Sequence, residues 1–286
     1  MPLAVYLLAQ RPARRDVAVA ALLGVAALVT LAGPADPFGA LEVAWLALLA
    51  GALGIVMLNR PGRPFVPTAL LALGLAAGAA SVLVWLTSLT WAEVAWRVSR
   101  HFGYQSRLIL GQMSAAADAA GGGAGALVDT LERTIETGIR LASVVFPALL
   151  LLQSFAALAL AWALYQRLAR APVGAALGGL RTFRFDDNLI WGVVLALVAL
   201  LLPLAGLGSL GSNLAVFFGG LYVLRGVAVA SAMAATAGID GFLAAAGATL
   251  VVLFLAPVAA MAALALGVSD TWVDWRRRLE RAAGPR

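Results

Sequence analysis

The chain has 286 residues, of which 63% are hydrophobic and 12% are charged, and its formal net charge at pH 7 is +6. Soluble domains have about a quarter of their residues charged, so this composition excludes an ordinary soluble protein and predicts a membrane protein. All basic residues are arginine and cysteine is absent, which excludes lysine-dependent phosphate loops and Schiff bases, disulfides and thiolate metal sites.

Seven apolar runs along the chain are each interpreted as a membrane-spanning helix of about 20 residues. The sequence therefore predicts an all-α, polytopic transmembrane helix bundle with about seven spans. The predicted spans cover approximately residues 17–33, 40–58, 65–89, 141–165, 189–204, 213–235 and 242–268.

The first run follows a basic segment that contains Arg11, Arg14 and Arg15. We interpret it as an uncleaved span rather than a signal peptide, because the run is long, further spans follow and no clean cleavage site is visible. The arginines of the short loops favour an N-terminus on the cytoplasmic side. An odd number of spans would then leave a basic tail outside, so about six to eight full crossings stay open.

Four segments follow from this pattern of hydropathy and charge. The positive charge is concentrated in loops, which is typical of topology signals and headgroup contact, so lipids are expected partners and nucleic acid is not. The segments are the first three spans over 1–90, an amphipathic insertion over 91–140, the last four spans over 141–268 and a basic tail over 269–286.

The insertion has the pattern of an amphipathic helix that lies in the membrane interface. Apolar side chains recur at helical spacing between charged residues, as at Val94, Val98 and Phe102. Trp91 and Trp96 are the predicted headgroup anchors, because tryptophan favours the membrane–water boundary. A glycine-rich run then predicts a flexible joint before a second amphipathic piece.

The tail is predicted to form a second interfacial helix. Trp272 and Trp275 share one face at helical spacing. The arginines that follow are predicted to reach lipid headgroups, and they are Arg276, Arg277 and Arg278.

Arg225 lies near the middle of the sixth predicted span. An arginine at that depth costs about 3 kcal/mol or more and usually faces a bundle interior or a cavity. Two hypotheses stay open: an internal lock against a carboxylate, or a binding site for a small molecule. Tyr222 lies on nearly the same helix face, and Gly219, Gly220 and Gly226 would let a neighbouring helix or a ligand approach.

The candidate anions for Arg225 are Glu42, Asp240 and Asp270, and the position of Glu42 inside a predicted span favours it. Asn213 is interpreted as the N-cap of the Arg225 helix and is also carried as a candidate ligand-binding residue.

Other acidic residues have an ordinary structural interpretation. The run 186–188 (Asp-Asp-Asn) is predicted to cap the fifth span, and Asp270 with Asp274 is predicted to cap and pair within the tail helix.

Enzyme constellations are not apparent in the sequence. His101 is the single histidine and lies in the predicted interfacial insertion, while Ser209 and Ser212 lack a catalytic partner pattern. No zinc-binding motif occurs. We therefore expect no enzyme activity, no metal site and no cofactor.

The second half of the chain resembles the uncharacterised bacterial YybS-like family of membrane proteins. The resemblance covers roughly residues 140–280 and rests on four ordered features. These are Phe146-Pro147 with Tyr165 and Arg167, Phe183-Arg184 with the acidic pair before Trp191, Asn213-Leu214 with Leu221-Tyr222 and Arg225-Gly226, and the run 266–271 followed by Trp275-Arg276.

That resemblance implies a fold similar to the S-components of energy-coupling-factor vitamin transporters, in the bacterial inner membrane. Family members often carry glutamine where this chain has Arg225, which implies a more anionic ligand or an internal partner. The leading hypothesis is a transporter-like, small-molecule-binding membrane subunit that relies on an energising protein partner. The alternative is a scaffold or regulatory membrane protein that binds lipids or proteins.

Overall fold

The computed structural model describes residues 37–60, 62–86, 90–119, 125–168, 172, 174–204, 206–239 and 241–282. Across these ranges the chain is helical with short connections and contains no strand, which confirms the predicted all-α class. The first predicted span and Asp240 lie outside the described residues.

The described helices are numbered here in chain order. They are α1 (Pro37–Asn59), α2 (Phe65–Leu86), α3 (Trp91–Ala119), α4 (Gly125–Val144), α5 (Phe146–Leu168), α6 (Ile190–Leu201), α7 (Leu207–Thr236), α8 (Gly241–Val273) and α9 (Trp275–Ala282), with 3-10 turns at Leu180–Thr182 and Asp187–Leu189.

Four of the described helices contain a segment long and apolar enough to cross a membrane, judged by length and composition. They are α2, α5 over Phe146–Arg167, α7, and the second part of α8 over Leu255–Val273. The apolar stretches in the first and sixth helices are shorter, at Val43–Met57 and Asp187–Leu201. A total of about seven spans therefore stays a prediction.

The chain divides into two compact units, Met1–Ala176 and Leu177–Arg286. In the first unit, α2 packs against both α1 and α5. Phe65 lies 5.5 Å from Phe155 and 5.8 Å from Trp162, measured between ring centroids. Trp45 Nε1 donates a hydrogen bond of 2.9 Å to Ser154 Oγ, so the core satisfies the one polar atom that Trp45 buries.

The predicted amphipathic insertion is helical and its two helices, α3 and α4, pack against each other. A capping box starts α3: Thr90 N donates to Glu93 Oε2 at 2.9 Å, and Glu93 N donates to Thr90 Oγ1 at 3.2 Å. The hydrogen bond from the Thr90 backbone holds the pKa of Glu93 below its usual value. Val94 and Val98 are buried and pack with Phe146, while a location in the membrane interface stays a prediction.

In the second unit, α7 is the central helix and both α6 and α8 run antiparallel to it. Gly211 of α7 approaches Leu200 of α6, whereas Gly192, nearer the start of α6, lies against Phe218. The contacts with α8 lie further along, where the backbone of Gly226 meets Ala263. Since α7 has 30 residues and is about 45 Å long, α6 covers its first part and α8 its second.

Consequently α6 begins and α8 ends at the same level of α7, close to Arg225. The last turn of α8 is brought against α7 by Gly267, whose Cα faces the carbonyl oxygen of Tyr222. A side chain at Gly226 or Gly267 would overlap the backbone of the other helix, which is the geometry of small-residue helix contacts.

The helix breaks within α8 and directly after it change the direction of the chain. Leu255 has non-helical dihedral angles two residues before Pro257, as expected where proline removes a helical hydrogen bond. Asp274 takes a φ of 46° between α8 and α9. The tail predicted as one interfacial helix is therefore corrected: residues 269–273 belong to α8, and α9 starts afresh at Trp275.

Replacing Gly226 by alanine is expected to destabilise the protein by about 1–3 kcal/mol, because the added methyl group forces the backbones of α7 and α8 apart. The matched control is Gly219→Ala on the same helix, where no described residue outside the helix's own nearby backbone lies within 4 Å of the added carbon. That control should be neutral or stabilising by about 0.5–1 kcal/mol. Thermal unfolding in detergent measures both, and equal losses for the two variants would contradict the close crossing.

Candidate functional site

Arg225 is fully buried in α7 and its guanidinium binds two carboxylates. Its Nε donates to Asp270 Oδ2 at 2.9 Å and its Nη1 donates to Asp187 Oδ1 at 2.7 Å. The Arg225 side chain tilts toward the N-terminus of α7, as helical side chains do. Because α8 runs antiparallel to α7, Asp270, which follows Gly267 by one turn, lies in the same direction. Arg225 is thus paired with carboxylates inside the protein, as the internal-lock hypothesis predicted.

Asp270 is the most connected carboxylate of this group. It is almost completely buried, and its Oδ2 also accepts a hydrogen bond of 3.3 Å from Arg276 Nη2. Its Oδ1 accepts a hydrogen bond of 3.1 Å from the backbone N–H of Trp275. Asp270 therefore caps the start of α9 while it neutralises two guanidinium groups.

The ion pairs continue outward to the surface. Asp187 also binds Arg184 at 3.3 Å, and these two side chains are 43% and 42% exposed. Burial alone would raise the pKa of Asp187, but the hydrogen bonds and charges of Arg225 and Arg184 outweigh it and hold that pKa below its usual value.

Asp274 completes the network through Arg184 at 3.5 Å and Arg277 at 3.1 Å. The network as a whole joins four arginines and three aspartates, which leaves one positive charge in surplus.

An aromatic pair covers one side of Arg225. The ring of Phe185 lies 5.1 Å from that of Tyr222 in an edge-to-face arrangement. The Cζ atom of Arg225 lies 5.3 Å from the Phe185 ring centroid, within the range of a cation–π contact. Tyr222 and Arg225 are both fully buried, as their predicted common face requires.

Several buried polar atoms of this network have no hydrogen-bond partner among the described residues. They are Tyr222 Oη, Arg225 Nη2, Thr271 Oγ1 and Arg276 Nε. The Thr271 side chain is a neighbour of Tyr222, yet their contact does not have the geometry of a formed hydrogen bond. Unsatisfied buried donors are costly, which makes a bound water, ion or ligand the expected acceptor.

The sequence predicted one of the two anions correctly. Asp270 was one of three candidates for Arg225, and together with Asp187 it holds the guanidinium, while a role for the preferred candidate Glu42 stays a prediction. Glu42 lies in α1 with its side chain outside the described residues. The run 186–188 was predicted to cap the fifth span; Asp186 accepts from Asn188 N at 3.0 Å and caps the 3-10 turn that leads into α6, whereas Asp187 binds Arg225. The two adjacent aspartates were the signal in the sequence for this second anion, because a cap needs only one carboxylate and the other is left for a different partner.

The predicted N-cap at Asn213 is wrong. The α7 helix begins at Leu207, after Gly206 with a φ of 87°, a left-handed conformation that glycine adopts without strain. Asn213 therefore lies inside the helix, where its Nδ2 donates to Ser209 O at 2.9 Å. A ligand contact from Asn213 stays a prediction.

The predicted interface anchors divide into two groups. Trp96, Trp272, Arg277 and Arg278 are exposed, as an anchor requires, and the Trp91 side chain lies outside the described residues. By contrast, two predicted tail anchors are turned inward because the chain breaks at Asp274. They are Trp275, whose Nε1 donates to Ser269 Oγ at 3.0 Å, and Arg276, which binds Asp270.

Asp270→Asn is expected to destabilise the protein by about 3–5 kcal/mol, because it leaves two buried arginines without their shared anion. Asp274→Asn is the matched control: its side chain is 25% exposed, and pairs of that kind contribute about 0–1 kcal/mol. Chemical or thermal unfolding of the detergent-solubilised protein distinguishes them. Similar losses in both variants would show that Asp270 is not the centre of the network.

Comparison with known proteins places the chain at the level of a family. A family model described as predicted membrane protein (DUF2232) matches residues 1–271, which is most of the chain. No curated protein and no solved structure matches it. The family description agrees with the four span-length apolar helices.

Proposed function

From the premise that the chain belongs to the DUF2232 family of predicted membrane proteins, we propose that it is a transporter-like membrane subunit. In this proposal it binds a small anionic molecule and lacks its own ATPase. The similarity to S-components that the YybS-like resemblance implies belongs to this proposal, as does a location in the bacterial inner membrane.

The observation that carries the proposal is the pair of unsatisfied donors on two fully buried side chains of α7. Among the described residues, Arg225 Nη2 and the Tyr222 hydroxyl have no formed hydrogen bond to an acceptor, and the ion-pair network around them holds one surplus positive charge. Both features favour a ligand with a carboxylate or another oxyanion, because charged hydrogen bonds are shorter and stronger than neutral ones.

The convergence of helix ends supports the same proposal. The start of α6 and the end of α8 meet beside Arg225, partway along α7. In secondary transporters, interrupted helices whose ends meet within the bundle form the substrate sites. The half-exposed Arg184–Asp187 pair gives a polar route from the surface toward Arg225.

Energy for transport would come from a protein partner. The sequence contains no lysine and thus no phosphate-loop motif that could bind a nucleotide. A subunit of this kind binds its ligand in isolation and moves it when an energising module is present.

Tyr222→Phe tests the ligand site without touching an ion pair. Removing one donor is expected to cost about 1 kcal/mol of ligand binding, or about a fivefold loss of affinity. Native mass spectrometry of the purified full chain measures the retained non-lipid adduct in the wild type and in the variant.

The control is Tyr104→Phe, which removes the same hydroxyl from an exposed tyrosine on α3. Thermal stability should be unchanged in both variants, so a lost adduct reports binding rather than folding. A wild-type spectrum without any reproducible non-lipid adduct, or an equal loss in the control, would contradict the proposal.

A scaffold or regulatory role is the second candidate, and exposed apolar side chains on α3 favour it. Tyr104, Leu108 and Ile109 are each more than half exposed, on a helix that is not among the span-length apolar ones. Such a face is suited to a protein or lipid partner.

If the second candidate holds, the double variant Leu108→Ser with Ile109→Ser should abolish co-purification of a stoichiometric protein partner from the native membrane. The control is Leu141→Ser, an exposed leucine on α4, which should retain it. Retention in the double variant would rule out this face of α3.

A further inference from the structure

We infer that the exposed basic rim of the second unit is a binding site for the headgroup of an anionic phospholipid. The rim consists of Arg181, Arg277, Arg278 and Arg281. All four residues are exposed, and they come from two separate segments, the 3-10 turn at Leu180–Thr182 and helix α9.

The fold itself brings these two segments together. Arg276 Nη1 donates to Arg181 O at 3.5 Å, while Arg276 Nη2 is held by Asp270. The first turn of α9 is thus tied to the 3-10 turn through a side chain that is itself mostly buried. The ion-pair network therefore holds together the two segments that carry the rim.

Among the described side chains, which do not include that of Glu280 on α9, three of the four rim arginines have no carboxylate partner. Arg277 binds Asp274 but remains 69% exposed, and Arg278 Nε donates to the backbone oxygen of Val273 at 3.1 Å. Asp187 and Asp270 are already occupied by arginines outside the rim, and Asp274 is shared between Arg184 and the rim residue Arg277. An anion from outside the protein would therefore complement the charge of the basic rim.

Two exposed tryptophans of the same unit favour a membrane surface over a soluble anion. Trp272 is 70% exposed in the last turn of α8, and Trp191 is 63% exposed in the first turn of α6, next to the acidic end of the network. Tryptophan concentrates at the headgroup level, and arginine forms two parallel hydrogen bonds with phosphate. An anionic phospholipid offers both the headgroup level at which tryptophan concentrates and the phosphate that arginine binds.

The test uses the delipidated full chain in detergent and native mass spectrometry with phosphatidylglycerol or phosphatidylcholine of identical acyl chains. The wild type should retain phosphatidylglycerol preferentially. Arg277→Gln with Arg278→Gln should reduce that preference by about fivefold or more at low ionic strength, since each interfacial arginine contributes to anionic-lipid binding. The double lysine variant at the same positions should restore most of it.

The control is Arg107→Gln with Arg133→Gln, which removes the same two charges from exposed positions on α3 and α4. It should leave the preference unchanged. Equal retention of the two lipids by the wild type would overturn the inference, as would an equal loss in the control. Displacement of phosphatidylglycerol by excess inorganic phosphate would also overturn it, by showing a phosphate site without a lipid requirement. The ligand adduct lost in Tyr222→Phe is a separate signal, so the two proposals can fail independently.

Discussion

The second unit depends on one constraint: a buried arginine must be neutralised where it lies. Taking an ion out of water costs several kcal/mol, and removing one member of a buried pair leaves the other uncompensated. Arg225 meets that constraint with two aspartates from different segments, Asp187 before α6 and Asp270 at the end of α8. The pairing fixes where α6 starts and where α8 stops along α7, and therefore how much of α7 each helix covers.

The ion pairs in turn depend on close backbone contact. Gly226 follows Arg225 directly, and Gly267 precedes Asp270 by three residues. With a side chain at either glycine the two helices would separate, and a separation of 1–2 Å is enough to lengthen a 2.9 Å hydrogen bond past its useful range. The glycines and the charged residues therefore act together. The glycines allow the short separation between α7 and α8 that the hydrogen bond between the guanidinium and the carboxylate requires.

The sequence predicted the helical class, the importance of Arg225 and one of its two anions, because these follow from hydropathy and from the cost of a buried charge. It did not predict Asp187 as the second anion, since a carboxylate ahead of a helix has an ordinary role as a cap. The inward turn of Trp275 and Arg276 was also missed. That turn follows from the positive φ at Asp274, which no periodicity reports, so exposed and buried members of the Trp-Arg-Arg-Arg run cannot be separated by spacing alone.

A lock and a ligand site are compatible in this geometry because the two aspartates differ in accessibility. Asp270 is 2% exposed and also caps α9, whereas the side chain of Asp187 is 43% exposed and shares Arg184. In the proposed function, an anion bound to Nη2 of Arg225 would leave Asp270 in place on Nε; if it also drew Nη1 away from Asp187, that aspartate would keep Arg184 as its partner. The fold would then keep its inner ion pair throughout, and only the outer one would open to admit a ligand.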